Sequence, residues 1–262
     1  MVLELLKNPP QHTGKFLTWA ICVPFFMPKT AEEMWPFMTI GIAFCLMLHH
    51  FMPNKFAATL TMNDRFVIWT NLFMTAAYAK VYIHYASLTG HLVPVASYKD
   101  IPPHEVLYIL LFILSDEVIF FLVHKWAHTK SVYGSWWYGH KMHHKFLNTS
   151  AWTSFYANPV DHFLSVLTAA LFLPMLMMRN GVDISVPILT AFMFGAVTTF
   201  VGSHHCVVVE DTKGKIKAGG GDHLTHHQKF TVNYGNFAYF DYWYGSYYGK
   251  KFDSWKKGKK SA

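Results

Sequence analysis

Hydrophobic residues fall along this chain in long runs, not in strict alternation or one-sided stripes. Five runs come close to the twenty or so residues an α-helix needs to cross a bilayer: 35–52, 66–88, 105–123, 160–178 and 184–201. A sixth, 16–27, is short and broken by Pro24, which suits a re-entrant or interfacial segment. Asn180-Gly181 separates the fourth and fifth runs by a tight turn, so those two are predicted to form an antiparallel hairpin. The expected fold class is all-α: a multi-span bundle of four to six membrane helices under a helical cap.

Composition supports this pattern. The 262 residues are 52% hydrophobic and 18% aromatic with only 14% charged, too apolar for an ordinary soluble domain. That length suits one domain, or a membrane bundle with one cap. Of the 22 basic residues only Arg65 and Arg179 are arginine, and six lysines crowd the last 13 positions. A nucleic-acid surface would want arginine forks on a soluble fold, so no nucleic-acid partner is expected. A basic surface facing membrane lipids or docking a partner fits better. Cys22, Cys45 and Cys206 have no metal-type spacing and imply no disulfide framework. The opening MVLELLKNPPQH lacks the features of a cleaved signal peptide, so the membrane runs themselves are expected to direct targeting.

Charge also orients the bundle. Segments 53–65, 124–159 and 203–262 fall on one face and hold sixteen basic residues, against Lys99 and Arg179 in the opposite loops. The positive-inside rule makes the basic face cytosolic. Segments 124–159 and 203–262 are too short to enclose a core alone and are expected to form a cap on the helix ends. Gly219-Gly220-Gly221 marks a break within the second of them. Three regions follow: 1–104 with the first membrane helices, 105–248 with the chemistry, and a Lys-rich tail, 249–262.

Histidine is the strongest signal. His124 and His128 form an HxxxH directly after the third run, His140, His143 and His144 form an HxxHH, and His223, His226 and His227 form another. Random placement of 17 histidines gives about 0.07 HxxHH matches, and two occur, both on the basic face. At these spacings each cluster is expected to aim two or three imidazoles at one point. Eight such nitrogens suffice for two metal ions, and imidazole suits iron, zinc and copper. His49, His50, His84, His91 and His104 read instead as interfacial histidines.

Asp116 and Glu117 sit inside an apolar run, where a carboxylate is costly and usually functional. Glu117 precedes His124 by seven residues and His128 by eleven, near-whole numbers of turns. It is expected to orient an imidazole from behind, with Asp116 pointing elsewhere. A carboxylate paired with a neighbour such as Lys80 is the plainer alternative.

On these residues the chain resembles the fatty acid hydroxylase/sterol desaturase superfamily, over roughly residues 105–248. The resemblance rests on Glu117, the three histidine motifs, Pro159-Val160-Asp161, Asn233-Tyr234-Gly235, and Phe240-Asp241 followed by Gly245. It implies a membrane enzyme in which two iron ions use O2 to oxidise a lipid, with zinc able to replace iron in a purified sample. It also implies Glu117, Asn158 and Asp161 as catalytic-region residues and one further histidine ligand, His205 ahead of His204. Electrons would come from a membrane-bound b-type cytochrome or its reductase, docked on the lysine face. Three positions depart from the family pattern: Glu117 replaces Asp, Lys125 replaces Arg, and Asn158 replaces His. Lys259 and Lys260 resemble a dilysine signal for the endoplasmic reticulum, with a plain polybasic tail as the other reading.

Hydroxylation of a sterol, sphingoid base or fatty acyl chain is the first reading, and sterol desaturation or methylsterol oxidation on the same scaffold the second. A zinc-stabilised, non-catalytic membrane scaffold is the reading from another class. Closed zinc sites usually hold four ligands, often thiolate, and these clusters hold more, without nearby cysteine. A haem carrier would need histidines facing one another inside the spans. Homodimerisation is compatible with the sequence and not indicated by it.

Overall fold

The computed structural model describes residues 27–51, 59–147, 149–204, 207–210, 216–219, 222–236 and 239–248. Five long helical segments dominate. They are α1 (Ala31–Phe51), α2 (Met62–Leu88), α3 (Glu105–Ala127), a composite fourth segment, and α7 (Val186–His204). The fourth segment runs as α5 (Pro159–His162), a π-helical turn (Phe163–Thr168) and α6 (Ala169–Arg179). Short pieces complete the chain: α4 (Lys130–Tyr133), α8 (Asp222–Lys229) and α9 (Tyr239–Tyr244).

Each long run of apolar sequence became a helix. Among the described residues, Met62–Leu88, Glu105–Ala127 and Pro159–Arg179 are long and apolar enough to cross a membrane, and Val186–Val201 is a shorter apolar helix. Their outer faces carry Phe66, Trp69, Phe73, Leu107, Leu111, Leu114, Phe172 and Leu176, all exposed. Side chains of this kind need an apolar solvent, and the protein is a membrane protein. The core between the helices joins Met34, Met38, Ile68, Ile109, Phe112, Ile184, Ile188 and Leu189. The segment 16–27 expected to re-enter the membrane lies, but for Met27, outside the described residues, as does the Lys-rich tail.

Two short ladders accompany the helices. Leu92–Val93 (β1) pairs in parallel with Ile184–Ser185 (β2), and Val207–Glu210 (β3) pairs antiparallel with Ile216–Gly219 (β4). The first clasps the end of the bundle remote from the histidine motifs. Ser185 donates from its backbone N and from Oγ to the Glu105 carboxylate, at 2.8 and 2.9 Å, and His91 Nδ1 lies 2.7 Å from Asp183 Oδ1.

At the other end, α2 reaches across to the histidine region. Its N-terminus is closed by a capping box between Thr61 and Asp64, and Asp64 also pairs with Lys145, next to His144. Two turns on, Asn71 is fully buried and its Nδ2 donates to Phe155 O and Ala157 O at 2.8 and 2.9 Å. The amide satisfies carbonyls of a connecting segment that has no ladder to satisfy them.

Candidate metal centre

The eight motif histidines converge in space. His124 lies in the last turn of α3 and His128 caps it, both aimed inward by the buried face of that helix. Gly139 turns the chain with a φ of 55°, and His140–Lys145 follows as a 3₁₀ helix in place of an ordinary α-helix. α8 carries His223, His226 and His227, all buried.

They form two groups. His124, His128, His140, His144 and His226 make one, and His143, His223 and His227 the other, with each group's nitrogens within 4.8 Å of one another. Two nitrogens on opposite sides of one ion, each about 2.1 Å away, stand roughly 4.2 Å apart. Each group therefore has the size of one coordination sphere. Two imidazoles of each motif share a group, the smaller of the numbers expected, and both HxxHH motifs divide between the groups. The pairs spaced by four residues stay together: 124 with 128, 140 with 144, 223 with 227. His143 and His226 cross to the other group. Three imidazoles on a tight turn cannot share one focus, so adjacent histidines serve neighbouring centres.

Hydrogen bonds fix the tautomers. His124 Nδ1 donates to Tyr234 O at 2.6 Å, His143 Nδ1 to Tyr156 O at 3.2 Å, and His226 Nδ1 to Val232 O at 2.6 Å. His140 Nδ1 donates to Asp161 Oδ2 at 2.8 Å. Each ring is left with an Nε2 lone pair turned inward. His144 Nε2 then lies 3.1 Å from Nε2 of His128, His140 and His226 alike. One N–H cannot satisfy three acceptors. His124 Nε2 is buried with no hydrogen-bond partner among the described residues. Converging lone pairs of this kind repel unless a cation lies between them, and the donor set fits nitrogen-ligated metal. Burial pushes His128 down to about 3 and, together with neighbouring imidazoles, holds His144 and His226 well below the usual histidine range. These rings are neutral near pH 7, the form that binds metal.

Behind the histidines stand three carboxylates. Asp161 accepts from His140 and also from Ser165 Oγ at 2.9 Å, and Tyr138 Oη lies 2.7 Å from that same Oγ. Ser165 belongs to the π-helical turn, a distortion often found beside functional sites. Asp241 takes the backbone N–H groups of Tyr234 and Gly235 at 2.8 and 2.7 Å, and Glu117 takes that of Asn236 at 2.8 Å. Glu117 was expected to orient an imidazole. Its described contact is to backbone instead, at Asn236 N, two residues beyond the Tyr234 carbonyl that meets His124. Lys80, the alternative partner, lies over the ring of Trp35. A Cβ on Gly235 would press on Glu117 Oε1 and stand 3.2 Å from Asp241 Oδ2, so a larger residue there would displace the Glu117 carboxylate.

Asn158 is placed as a helix cap: its Oδ1 accepts from Val160 N at 2.9 Å, immediately before Pro159. His204 ends α7 with its side chain outside the described residues, and His205 lies outside them altogether. Four residues near the site carry no motif: Asn71, Thr75, Ser165 and His162. His162 is buried, its Nε2 lying 2.8 Å from Thr75 Oγ1. Polar residues inside apolar runs were the available signal for the first three.

The bundle and its paired imidazole groups define a helical membrane protein with a site suited to two metal ions. The model of the fatty acid hydroxylase family matches residues 109–246, more than half of the chain, and the protein belongs to that family. A Delta(7)-sterol 5(6)-desaturase of Eremothecium gossypii is 33% identical over 133 residues, covering 49% of this chain and 34% of that protein. Another of the same name from Candida glabrata is 31% identical over 128 residues, 48% of this chain and 32% of the relative. One from Gibberella zeae is 28% identical over 141 residues, 52% and 36% respectively. The chain spans about a third of the length of these curated relatives. No solved structure matches it.

Proposed function

We propose that this chain is an O2-dependent oxidoreductase that hydroxylates or desaturates a membrane lipid, with its eight histidines holding two iron ions. The observation that carries the reading is the convergence of inward Nε2 lone pairs in two groups, each sized for one ion. Bound iron would supply the activation of O2 that an unactivated C–H bond demands and that no side chain provides.

The chain's own residues do the rest. Tyr234 O, Val232 O, Tyr156 O and Asp161 hold four imidazoles in the tautomer that leaves Nε2 free. Phe120, Val166 and Phe200 line both a narrow pocket beside His124, His140, His143 and His223 and a second apolar cavity within the bundle. This apolar neck excludes bulk water from the histidines and gives a lipid tail or ring system a dry path to them. Hydroxylation and desaturation each need two electrons and two protons from outside. The lysines of the same face offer a dock for an acidic donor, such as a membrane b-type cytochrome or its reductase. The basic face is assigned to the cytosol and the membrane to the endoplasmic reticulum, with residues 105–248 as the catalytic region.

Desaturation of a sterol is favoured as the second reading by the relatives, all three of which carry that activity in their names. The decisive test compares membranes containing wild type with those containing the His143→Ala, His226→Ala double variant. About two irons per wild-type chain and an oxidised or unsaturated lipid that the variant lacks would support the reading. Zinc with identical lipids would favour a structural metal site.

A further inference from the structure

A narrow apolar cavity lies among α1, α2, α3, α6, α7 and the π-helical turn. Its wall is aliphatic and aromatic for the most part, yet Asp116 of α3 and Asn236 of the loop after α8 both line it. Asp116 is only 8% exposed. A carboxylate at this depth of a membrane helix is costly to keep and marks a functional position. The histidine framework does not account for it, because Glu117, Asp161 and Asp241 hold that framework.

The pair has a definite chemical bias. The Asn236 side chain is hydrogen-bonded to Asp116. It is the buried carbonyl Oδ1 of Asn236 that is left without a partner among the described residues, so the amide gives its N–H to an Asp116 oxygen. Two adjacent acceptors therefore lie in an apolar chamber, and what they lack is a donor. The chamber shares Phe120, Val166 and Phe200 with the histidine pocket. Asp116, Phe120 and His124 are spaced by four residues along α3, so Asp116 lies about 12 Å below His124 along the helix.

We propose that Asp116 and Asn236 form an anchor that accepts a hydrogen bond from the hydroxyl group of a lipid alcohol held in this cavity. The proposal rests on the reading of the histidines as an oxidation centre and adds the determinant of position. The distance of a carbon from the hydroxyl, not from the end of a chain, selects which carbon reaches the neck. An ammonium group is also a donor, but its desolvation in an apolar chamber costs far more than that of an alcohol.

The test uses the full-length, metal-loaded protein in nanodiscs and a photoreactive sterol with a free hydroxyl. Labelling is competed with cholesterol, its methyl ether and the corresponding amine, and in parallel with octadecanol and its methyl ether. At least one alcohol should compete about tenfold better than its ether, as expected for a hydrogen bond to a buried acceptor. In Asp116→Leu that ratio should fall to about onefold, measured on the protein that keeps its metal. If that variant does not fold, Asp116→Asn serves, with the ratio reduced several-fold. Equal binding of alcohol and ether, a ratio that survives in the variants, a preference for the amine, or no binding of any alcohol would each overturn the anchor. Products formed equally from alcohol and ether would leave the oxidation reading standing without it. Discrimination by a protein that binds no metal would leave the anchor without the oxidation reading.

Discussion

At the scale of single residues, the centre depends on atoms one bond removed from the metal-facing ones. Asp161 fixes the tautomer of His140 by accepting from Nδ1. Asp161→Asn would offer an N–H where an acceptor is needed, and we expect metal affinity to fall about 10–100-fold, measured by competition with a calibrated chelator. Gly235→Ala should do comparable damage by sterics. Its Cβ cannot coexist with Glu117 Oε1, so the Glu117 contact to Asn236 N must yield. The expected result is a loss of about 1–3 kcal/mol in stability and of bound metal together, read by thermal unfolding and elemental analysis. The histidines themselves were legible in the sequence because rare residues at helical spacing are conspicuous. The division of each HxxHH between two groups was not, since it depends on where α3 and α8 stand relative to the His140–Lys145 turn. Glu117 was legible as important from its spacing, but its partners are backbone groups more than a hundred residues away.

Among elements, α2 was legible as a membrane run and illegible as a part of the site. Nothing local in its sequence says that Asn71 holds the carbonyls of Phe155 and Ala157. Asn71→Leu would leave two buried carbonyls without donors, a loss of about 2–4 kcal/mol, and should reduce metal retention through His143, whose Nδ1 bonds to Tyr156 O. Glu105→Gln at the remote clasp should lower the unfolding temperature and spare metal content, because its partner Ser185 lies at the opposite end of α3 from His124. The pair of variants separates support of the site from support of the bundle. The π-helical turn escaped the sequence because Phe163–Thr168 is ordinary apolar helix by composition. The wider turn becomes visible in Thr168, whose Oγ1 donates to Phe163 O five residues back at 3.1 Å.

For the whole molecule, hydrophobic runs and lysine counts led from sequence to a membrane bundle with its histidines at one end. That architecture is what the structure has, with two small ladders that composition could not announce. Sidedness is testable. In a background free of native cysteines, Lys130→Cys and Lys99→Cys place thiols at opposite ends of the bundle, both at exposed positions. With only the plasma membrane opened, an impermeant maleimide should label the first and not the second.

The loop from Val232 to Asn236 gives its carbonyls to His226 and His124 and its last side chain to the apolar cavity. Whatever steadies that loop from one side is therefore felt on the other, and thermodynamic linkage requires the effect to be equal in both directions. The factor by which a cavity ligand tightens metal must match the factor by which metal tightens the ligand. A preparation stripped of lipid should accordingly hold its metals more loosely than the same chain in its native bilayer.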